Sequence, residues 1–474
     1  MKSHLLLISL LLAMVGSGRA LAANTYNNLS LKQAIEIALS QNVEKKISYQ
    51  AAAIAESQYQ EALSAQWPSL TLQGSFQRRD EAPTFIFPSS NIPLGNLGAT
   101  LGAALGPLLP PGQTIPSNIV VPEQKVKLFN RDTTITSVQM LYPLYTGGKI
   151  SSLISQAGFG KEIAQEEMRR SNLQVVRDVK RYYYAAQLTK NLTETAHDTV
   201  ELLSATRDIT KKIYQGGSAT VNKLDFFKTD LAVSYAKSVE ADFSARHKSA
   251  LAALVNAMGL EWDSQLTIGD NMGMRIEANP EMDALVKQAN AFNPQIGVLR
   301  LAVKAANAKI DEARSGHLPQ VALTADASHI HNSYESGLTN DVNRNGWTIG
   351  IGVSLPLFDG WRTTSQINTA KLQHEQMQEK QKLVEQGMAA LVKNLFIEFD
   401  SARQQIAISE QASFTAAENV DLTSRAFEIG ASKPQDVIEA QILQAIIKGN
   451  LLRAQHDQLL KLAELDYVLG FESQ

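Results

Sequence analysis

Few residues in this chain are placed to do chemistry, and those that are point to fixed charge rather than to bond making. Asp436 and Glu439 stand three residues apart near an expected helix start, a spacing that puts both carboxylates on one helical face. Carboxylates in a first turn stabilise the helix dipole, and gathered around an opening they favour cations over anions. Lys223 lies 213 residues before Asp436 and is read as its counterpart in an earlier part of the chain, where it could contact Asp436 or Glu439 between neighbouring hairpins. His329-x-His331 shares one face of a strand-like segment, but no carboxylate pattern reinforces it and no metal site is assigned. Gly158-Phe159-Gly160 has helical pattern on both sides, which disfavours a phosphate loop. There is no Gly-x-Ser-x-Gly, His-Glu-x-x-His or Walker sequence. Cysteine is absent, which removes disulfides, thiolate ligands, cysteine nucleophiles and lipid attachment through an N-terminal cysteine. A net charge of −3 gives no bulk attraction to nucleic acid. No enzyme activity and no cofactor are expected.

The elements that must position these residues occur twice. Trp67-Pro68-Ser69-Leu70, then Tyr142-Pro143-Leu144-Tyr145-Thr146-Gly147-Gly148, then Tyr214-Gln215-Gly216-Gly217 mark the first half. Leu318-Pro319-Gln320-Val321, then Leu355-Pro356-Leu357-Phe358-Asp359-Gly360, then Phe427-Glu428-Ile429-Gly430 mark the second. Pro143 and Pro356 are 213 residues apart, as are Gly217 and Gly430, whereas Pro68 and Pro319 are 251 apart. One structural unit is therefore used twice, with 38 extra residues in the first copy.

Between these marks run stretches without breakers. No proline occurs over 149–213 or over 363–427, and Val384, Met388, Leu391, Leu395, Phe399, Ala402 and Ile406 recur at spacings of four and three. A helix of that extent would be about 100 Å long, too long for an ordinary globule. Gly217 and Gly430 sit where left-handed caps are expected. Ser432-Lys433-Pro434-Gln435 reads as a capping box opening a returning helix. At the other end, Trp347, Ile349, Ile351, Val353 and Leu355 alternate with small or polar residues, as do Leu70, Leu72, Gly74 and Phe76. Alternation of this kind suits a strand with one face to lipid, and equally an antiparallel sheet in a soluble domain.

Residues 1–22 read as a signal peptide: Lys2, an apolar run from Leu5 to Val15, and Ala20-Leu21-Ala22 as the cleavage pattern. The first repeat spans 23–270, with helices over 29–66, strands at 67–79 and 132–146, and a helical hairpin over 148–258. Between its strands, 80–131 holds eight of the fifteen prolines and is read as a long external loop. The second repeat spans 271–474, with helices over 280–316, strands at 318–331 and 345–358, and a hairpin over 361–469. Four strands cannot close a membrane barrel, and open edges cannot face lipid. If they cross a membrane, two or three chains must share one barrel.

The chain resembles the TolC family of outer-membrane channel proteins, on the paired Pro68/Pro319 strand entries, the Pro143/Pro356 exits running into Gly147-Gly148 and Asp359-Gly360, and the aromatic-x-x-Gly tips. The resemblance implies an α+β membrane protein. It would be a homotrimer with a twelve-strand β-barrel in the outer membrane of a Gram-negative bacterium, continued by long antiparallel coiled-coil helices as a periplasmic α-barrel. It implies a passive exit duct for small-molecule efflux, working with a periplasmic adaptor (membrane fusion protein) and an inner-membrane pump or ABC exporter. Type I protein secretion is the alternative duct, and a periplasmic coiled-coil structural or adaptor protein the alternative from another class. Asp436 and Glu439 match acidic positions that constrict the periplasmic entrance in the family, six carboxylates in a trimer. The tips around Tyr214, Gly216, Gly217, Phe427 and Gly430 would be the adaptor dock.

Overall fold

The computed structural model describes residues 25–128, 131–217, 220–269, 281–332 and 344–471, so the signal peptide expected at 1–22 lies outside the described residues. The first repeat opens with β1 (Thr25–Leu29), α1 (Leu31–Gln41), α2 (Val43–Ser64) and β2 (Ser69–Arg78). An insertion follows: β3 (Thr84–Phe87), β4 (Ser90–Pro93), α3 (Gly95–Leu105), β5 (Asn118–Val121) and β6 (Gln124–Lys127). The repeat ends with β7 (Asp132–Tyr145), α4 (Lys149–Gln215), α5 (Lys223–Met258) and β8 (Gln265–Ile268). The second repeat comprises α6 (Met282–Phe292), α7 (Pro294–Arg314), β9 (Gln320–Asn332), β10 (Asn345–Ser354), α8 (Arg362–Glu428) and α9 (Pro434–Leu469).

The duplication is visible residue by residue. α4 and α8 are both 67 residues and begin 213 apart, and α5 and α9 are both 36 residues and begin 211 apart. The helical stretches expected over 29–66 and 280–316 each divide into two helices, at Asn42 and at Asn293, and these two residues are 251 apart. The 80–131 segment is more than a loop: two antiparallel strand pairs, β3·β6 and β4·β5, lead to an 11-residue helix. Proline falls there at strand ends and turns, where no ladder hydrogen bond is lost. The strand expected to reach 358 ends at Ser354, and β1 pairs with β8 in parallel, which no period-two pattern announced.

The chain divides into two units. One holds residues up to 59, 155–307 and 371 onward. Its core repeats with the chain: Val175, Val179, Leu254 and Met258 cluster with Ala34 and Ala38, and Met388, Val392, Leu465 and Leu469 cluster with Leu285 and Ala289. On α8 the buried seam takes Val392 rather than the expected Leu391, which is 43% exposed, while Met388, Leu395, Phe399, Ala402 and Ile406 are buried as their spacing predicted. The Tyr183 hydroxyl, fully buried, donates to the Leu29 carbonyl at 2.8 Å and ties α4 to β1.

The other unit, 60–154 with 308–370, carries an antiparallel sheet in the order β10-β9-β7-β2. Pairing of Leu70 with Met140, Leu72 with Val138, Ala325 with Ile349 and Ala327 with Trp347 puts the apolar residues on one face. Ser69, Thr71, Gln73, Gln139, Ser137, Thr324, Asp326 and Thr348 take the opposite face. Leu70, Leu72, Phe76, Trp347, Ile349, Ile351 and Val353 are between 64% and 77% exposed, so the apolar face has no partner within the protomer. Within the chain β2 and β10 are edge strands. Among the described residues no helix is long and apolar enough to cross a membrane.

Candidate functional site

Each long hairpin ends in a tip whose turn is set by a left-handed glycine, Gly217 at φ +75° and Gly430 at φ +73°. The first tip takes seven residues between its helices and the second takes five. The repeat offset therefore falls by two at the turn, and the expected equivalence of Lys223 with Asp436 does not hold. Lys223 aligns with Pro434, both first in their helices, and Asp225 aligns with Asp436, both third. The two aspartates do the same work: Asp225 Oδ2 accepts the Asn222 N–H at 3.0 Å, and Asp436 Oδ2 accepts the Lys433 N–H at 2.9 Å. The cap expected at Ser432 falls one residue later, at Lys433, because Ser432 Oγ turns back to donate to the Thr423 carbonyl at 3.3 Å.

Lys223 reaches neither Asp436 nor Glu439 within the protomer; its ammonium lies 5.5 Å from the Phe227 ring centroid. The lysine that bridges the hairpins is Lys228. Its Nζ donates to Gln435 Oε1 at 2.8 Å, and Gln435 Nε2 donates to Glu439 Oε1 at 2.8 Å. All three are solvent-exposed. Beneath them Phe427, 4% exposed, packs with Val221, Val437 and Ile213, so it joins the two tips rather than presenting a surface. Tyr214 stacks on Phe226 with centroids 6.5 Å apart. The apolar residue exposed at the second tip is Ile429, 81% accessible. Deeper in, Thr206 and Gln441 exchange buried hydrogen bonds, and Lys180 pairs with Asp466 at 2.8 Å, holding α4 to α9. A groove of about 310 Å³ runs between α4, α5 and α9, lined by Leu192, Thr199, Tyr235, Phe243, Ile446 and Arg453 among others.

The residues that sequence reasoning missed are the two asparagines at the helix breaks. Asn42 Nδ2 donates to the Ala257 carbonyl at 2.8 Å, and Asn293 Nδ2 donates to the Val468 carbonyl at 2.7 Å. Their Oδ1 atoms accept the N–H of Glu44 and of Gln295, capping α2 and α7. The left-handed glycines Gly259 and Gly470 fit against the same spots: a Cβ would lie 2.7 Å from Asn42 Cα and 2.4 Å from the Phe292 carbonyl oxygen. Each repeat thus pins the end of its returning helix to the break of its leading helix. Pro294, directly after Asn293, was the available signal.

The strand-to-helix junctions also correspond. Pro68 and Pro319 precede β2 and β9, and Pro356 follows β10, whereas Pro143 lies inside β7, where the pairing register slips before Tyr145. Thr146 Oγ1 accepts the Ile150 N–H at 3.3 Å at the head of α4, and Asp359 Oδ2 accepts the Thr363 N–H at 3.1 Å at the head of α8. The Thr363 hydroxyl bond, with Arg362 nearby, holds the Asp359 carboxyl below the usual range. Gly147 and Gly360 both adopt positive φ, but Gly148 is matched by Trp361 at φ +67°. Along α4 and α5, His197 Nδ1 and Glu240 Oε1 stand 2.8 Å apart, and that bond raises the imidazole above the usual histidine value. His329 Nδ1 lies 2.7 Å from Asn345 Oδ1, and no group of metal-ligating side chains occurs among the described residues.

A four-stranded open-edged sheet together with two long helical hairpins in one chain is the α+β architecture of TolC-like channels. Crystal structures of CusC align with a TM-score of 0.74 at 17% identity, covering 96% of each chain. The outer membrane protein VceC of Vibrio cholerae aligns at 0.71 with 16% identity, covering 93% of this chain and 96% of that one. The chain belongs to the outer membrane efflux protein family, whose profile matches residues 34–260 and 285–471. Among curated relatives, the outer membrane protein TolC of Salmonella enteritidis is 26% identical over 194 residues, 40% of each chain. The match therefore spans less than half the length of that relative. The toluene efflux pump outer membrane protein TtgI of Pseudomonas putida is 24% identical over 342 residues, 69% of each chain. The alkaline protease secretion protein AprF of Pseudomonas aeruginosa is 23% identical over 347 residues, 72% of this chain and 70% of that one.

Proposed function

We propose that three copies of this chain form an outer-membrane exit duct through which small molecules leave passively, driven by an inner-membrane pump through a periplasmic adaptor. The observation that carries this reading is the sheet: its apolar face is exposed and its two edge strands are open. Backbone groups at an open edge have no partner in lipid, so the edge of β2 must meet β10 of another copy. Three copies give twelve strands, with the Thr, Ser and Gln face lining the lumen. Relatives named for solvent and toluene efflux support small molecules as cargo. Protein secretion is the second reading, favoured by the coverage of AprF.

At the other end the tips form the entrance. Asp436 and Glu439, joined by Asp225 through the true register, would line it with carboxylates and select for cations. The bridge from Lys228 through Gln435 to Glu439 restrains the two hairpins of one copy against each other, the part first assigned to Lys223. The exposed rim at Tyr214, Gly217, Ile429 and Gly430 is the adaptor dock, with Gly216 and the buried Phe427 as its support. The deciding measurement is particle mass in mild detergent, followed by single-channel conductance of Asp436→Ala and Glu439→Ala. Three chains per particle and reduced cation preference are expected; a monomer from the soluble periplasmic fraction would remove the duct altogether.

A further inference from the structure

The insertion in the first repeat is a stalk with an apolar head. Hydrogen bonds join the two sides of the stalk beyond the sheet: Arg78 pairs with Asp132, the Arg79 N–H bonds the Arg131 carbonyl at 2.9 Å, and the Leu128 N–H bonds the Pro83 carbonyl at 2.8 Å. The β3·β6 and β4·β5 ladders follow, and the Leu94 N–H reaches the Ser117 carbonyl at 3.0 Å just before α3. Charge lies at Arg78, Arg79, Asp80 and Glu81 on one side and at Arg131 and Asp132 on the other, and continues along β6 at Lys127, Lys125 and the adjoining Glu123, stopping short of the β4·β5 ladder and α3. From Ala82 to Pro122, 41 consecutive residues carry no Asp, Glu, Lys, Arg or His.

This head has no core of its own. No residue of β3, β4, β5, β6 or α3 is buried, and Phe85, Phe87, Ile92, Leu97, Leu105, Leu108, Ile119 and Val120 are between 44% and 80% exposed. Two-stranded ladders and an 11-residue helix are marginal in water by themselves, so an ordered arm of this composition needs an apolar cover. The 41-residue run offers no charge with which a charged partner could pair. The bilayer below is a poor fit: the ten residues of β2 rise about 33 Å, enough when tilted to cross the roughly 25 Å apolar band of such barrels. The charges of Arg78 to Glu81 then follow before the arm begins.

The cover that is always present in equal number is the same arm on the next copy. In the proposed trimer, on which this inference rests, each arm springs from β2, the edge strand at which neighbouring copies meet. The head is also self-complementary. A Cβ at Gly102, or at Gly106 which caps the helix, would have nothing within 4 Å, leaving an open shallow face at the C-terminal end of α3, while Leu97 and Leu105 of the same helix are exposed. Leucine of one helix against glycine of the next is a head-to-tail contact, which closes on itself around a threefold axis. We infer that the three arms pack through α3 into an apolar cap over the outer mouth, so that cargo leaves only when the arms part.

The chain has no cysteine, so introduced thiols report cleanly. Leu97→Cys combined with Gly106→Cys in the full chain, extracted from outer membranes and mildly oxidised, should give disulfide-linked dimers and trimers, because the leucine of one arm meets the glycine of the next. Adding Gly102→Asp should abolish the link while particle mass stays at three chains. A trimer that links neither in this pair nor in Leu97→Cys with Gly102→Cys overturns the cap and leaves the duct standing. A fluorophore on Leu97→Cys quenched by spin-labelled lipid overturns it in favour of the outer leaflet. A particle that is not trimeric removes duct and cap together.

Discussion

Replacing Asn293 by alanine removes two buried bonds at once, and their sizes can be set from the structure. The side chain is 6% exposed, accepts the Gln295 N–H at 2.9 Å and donates to the Val468 carbonyl at 2.7 Å. Loss of the helix cap costs about 1 kcal/mol. Leaving the Val468 carbonyl unpaired in a buried site costs roughly 1–3 kcal/mol more. A total of about 2–4 kcal/mol corresponds to local opening about 30- to 700-fold more frequent. Native-state hydrogen exchange of the detergent-solubilised protein reads this directly, at the amides that begin α7 and end α9. Asn293→Asp separates the two bonds, since aspartate caps as well as asparagine but turns an oxygen toward the Val468 carbonyl. It should open at least as readily as the alanine variant. Asn42→Ala should match it at the head of α2 and the end of α5, because Asn42 makes the equivalent bonds to Glu44 and Ala257. Exchange within about threefold of the parent for Asn293→Ala, less than ~1 kcal/mol, would refute the pin.

Three further outcomes follow. Lys228→Met should raise the open fraction in bilayer recordings by up to about fivefold, the factor that loss of one ~1 kcal/mol hydrogen bond allows, and Lys223→Met should leave it unchanged; the reverse order would sink the Lys228 bridge. His197 is raised by Glu240, with Glu201 and Asp198 adding to it, so its contribution is complete at pH below the usual histidine value and is lost as pH rises through the elevated one. Exchange protection of α4 near residue 197 should fall over that window, and His197→Gln should flatten the profile. Trp361→Gly should melt above Trp361→Ala, inverting the usual order of these residues, because only glycine is unstrained at φ +67°; alanine melting higher would show that the position carries no strain.

The fold was legible where one residue type repeats over a long span. Breakerless runs over 149–213 and 363–427 became α4 and α8, and the alternation around Trp347 became a strand with all its apolar side chains on one face. What escaped was set by single residues in tertiary contact. An asparagine inside a helical composition does not announce a break; Asn42 and Asn293 break their helices because a carbonyl of the returning helix waits for the amide. β1 and β8 are too short to show a period, and they exist because Tyr183 and the surrounding core hold them. At the tips, glycine anchors alone gave an offset of 213, and the two extra residues lie after the glycine, so the register of the charged residues was misplaced. Lys228 was invisible for the same reason. Asp436 and Glu439 could be placed on one helical face from the sequence because a spacing of three on a helix needs no register.

The asparagine pins stand at the ends of α5 and α9 farthest from the tips. Each helix is 36 residues, about 54 Å at ~1.5 Å per residue, so each pin is the fulcrum of a long rigid arm. A tilt of about 5° at the fulcrum, which packed side chains absorb by small sliding, would move the tip end by roughly 5 Å over that length. Displacement is multiplied along the arm and force is divided by it. The contacts near the tip, the buried cluster of Phe427, Val221 and Val437, the Thr206–Gln441 bonds and the exposed chain from Lys228 to Glu439, therefore hold the hairpins in register at the longest lever arm, while the buried asparagines barely move.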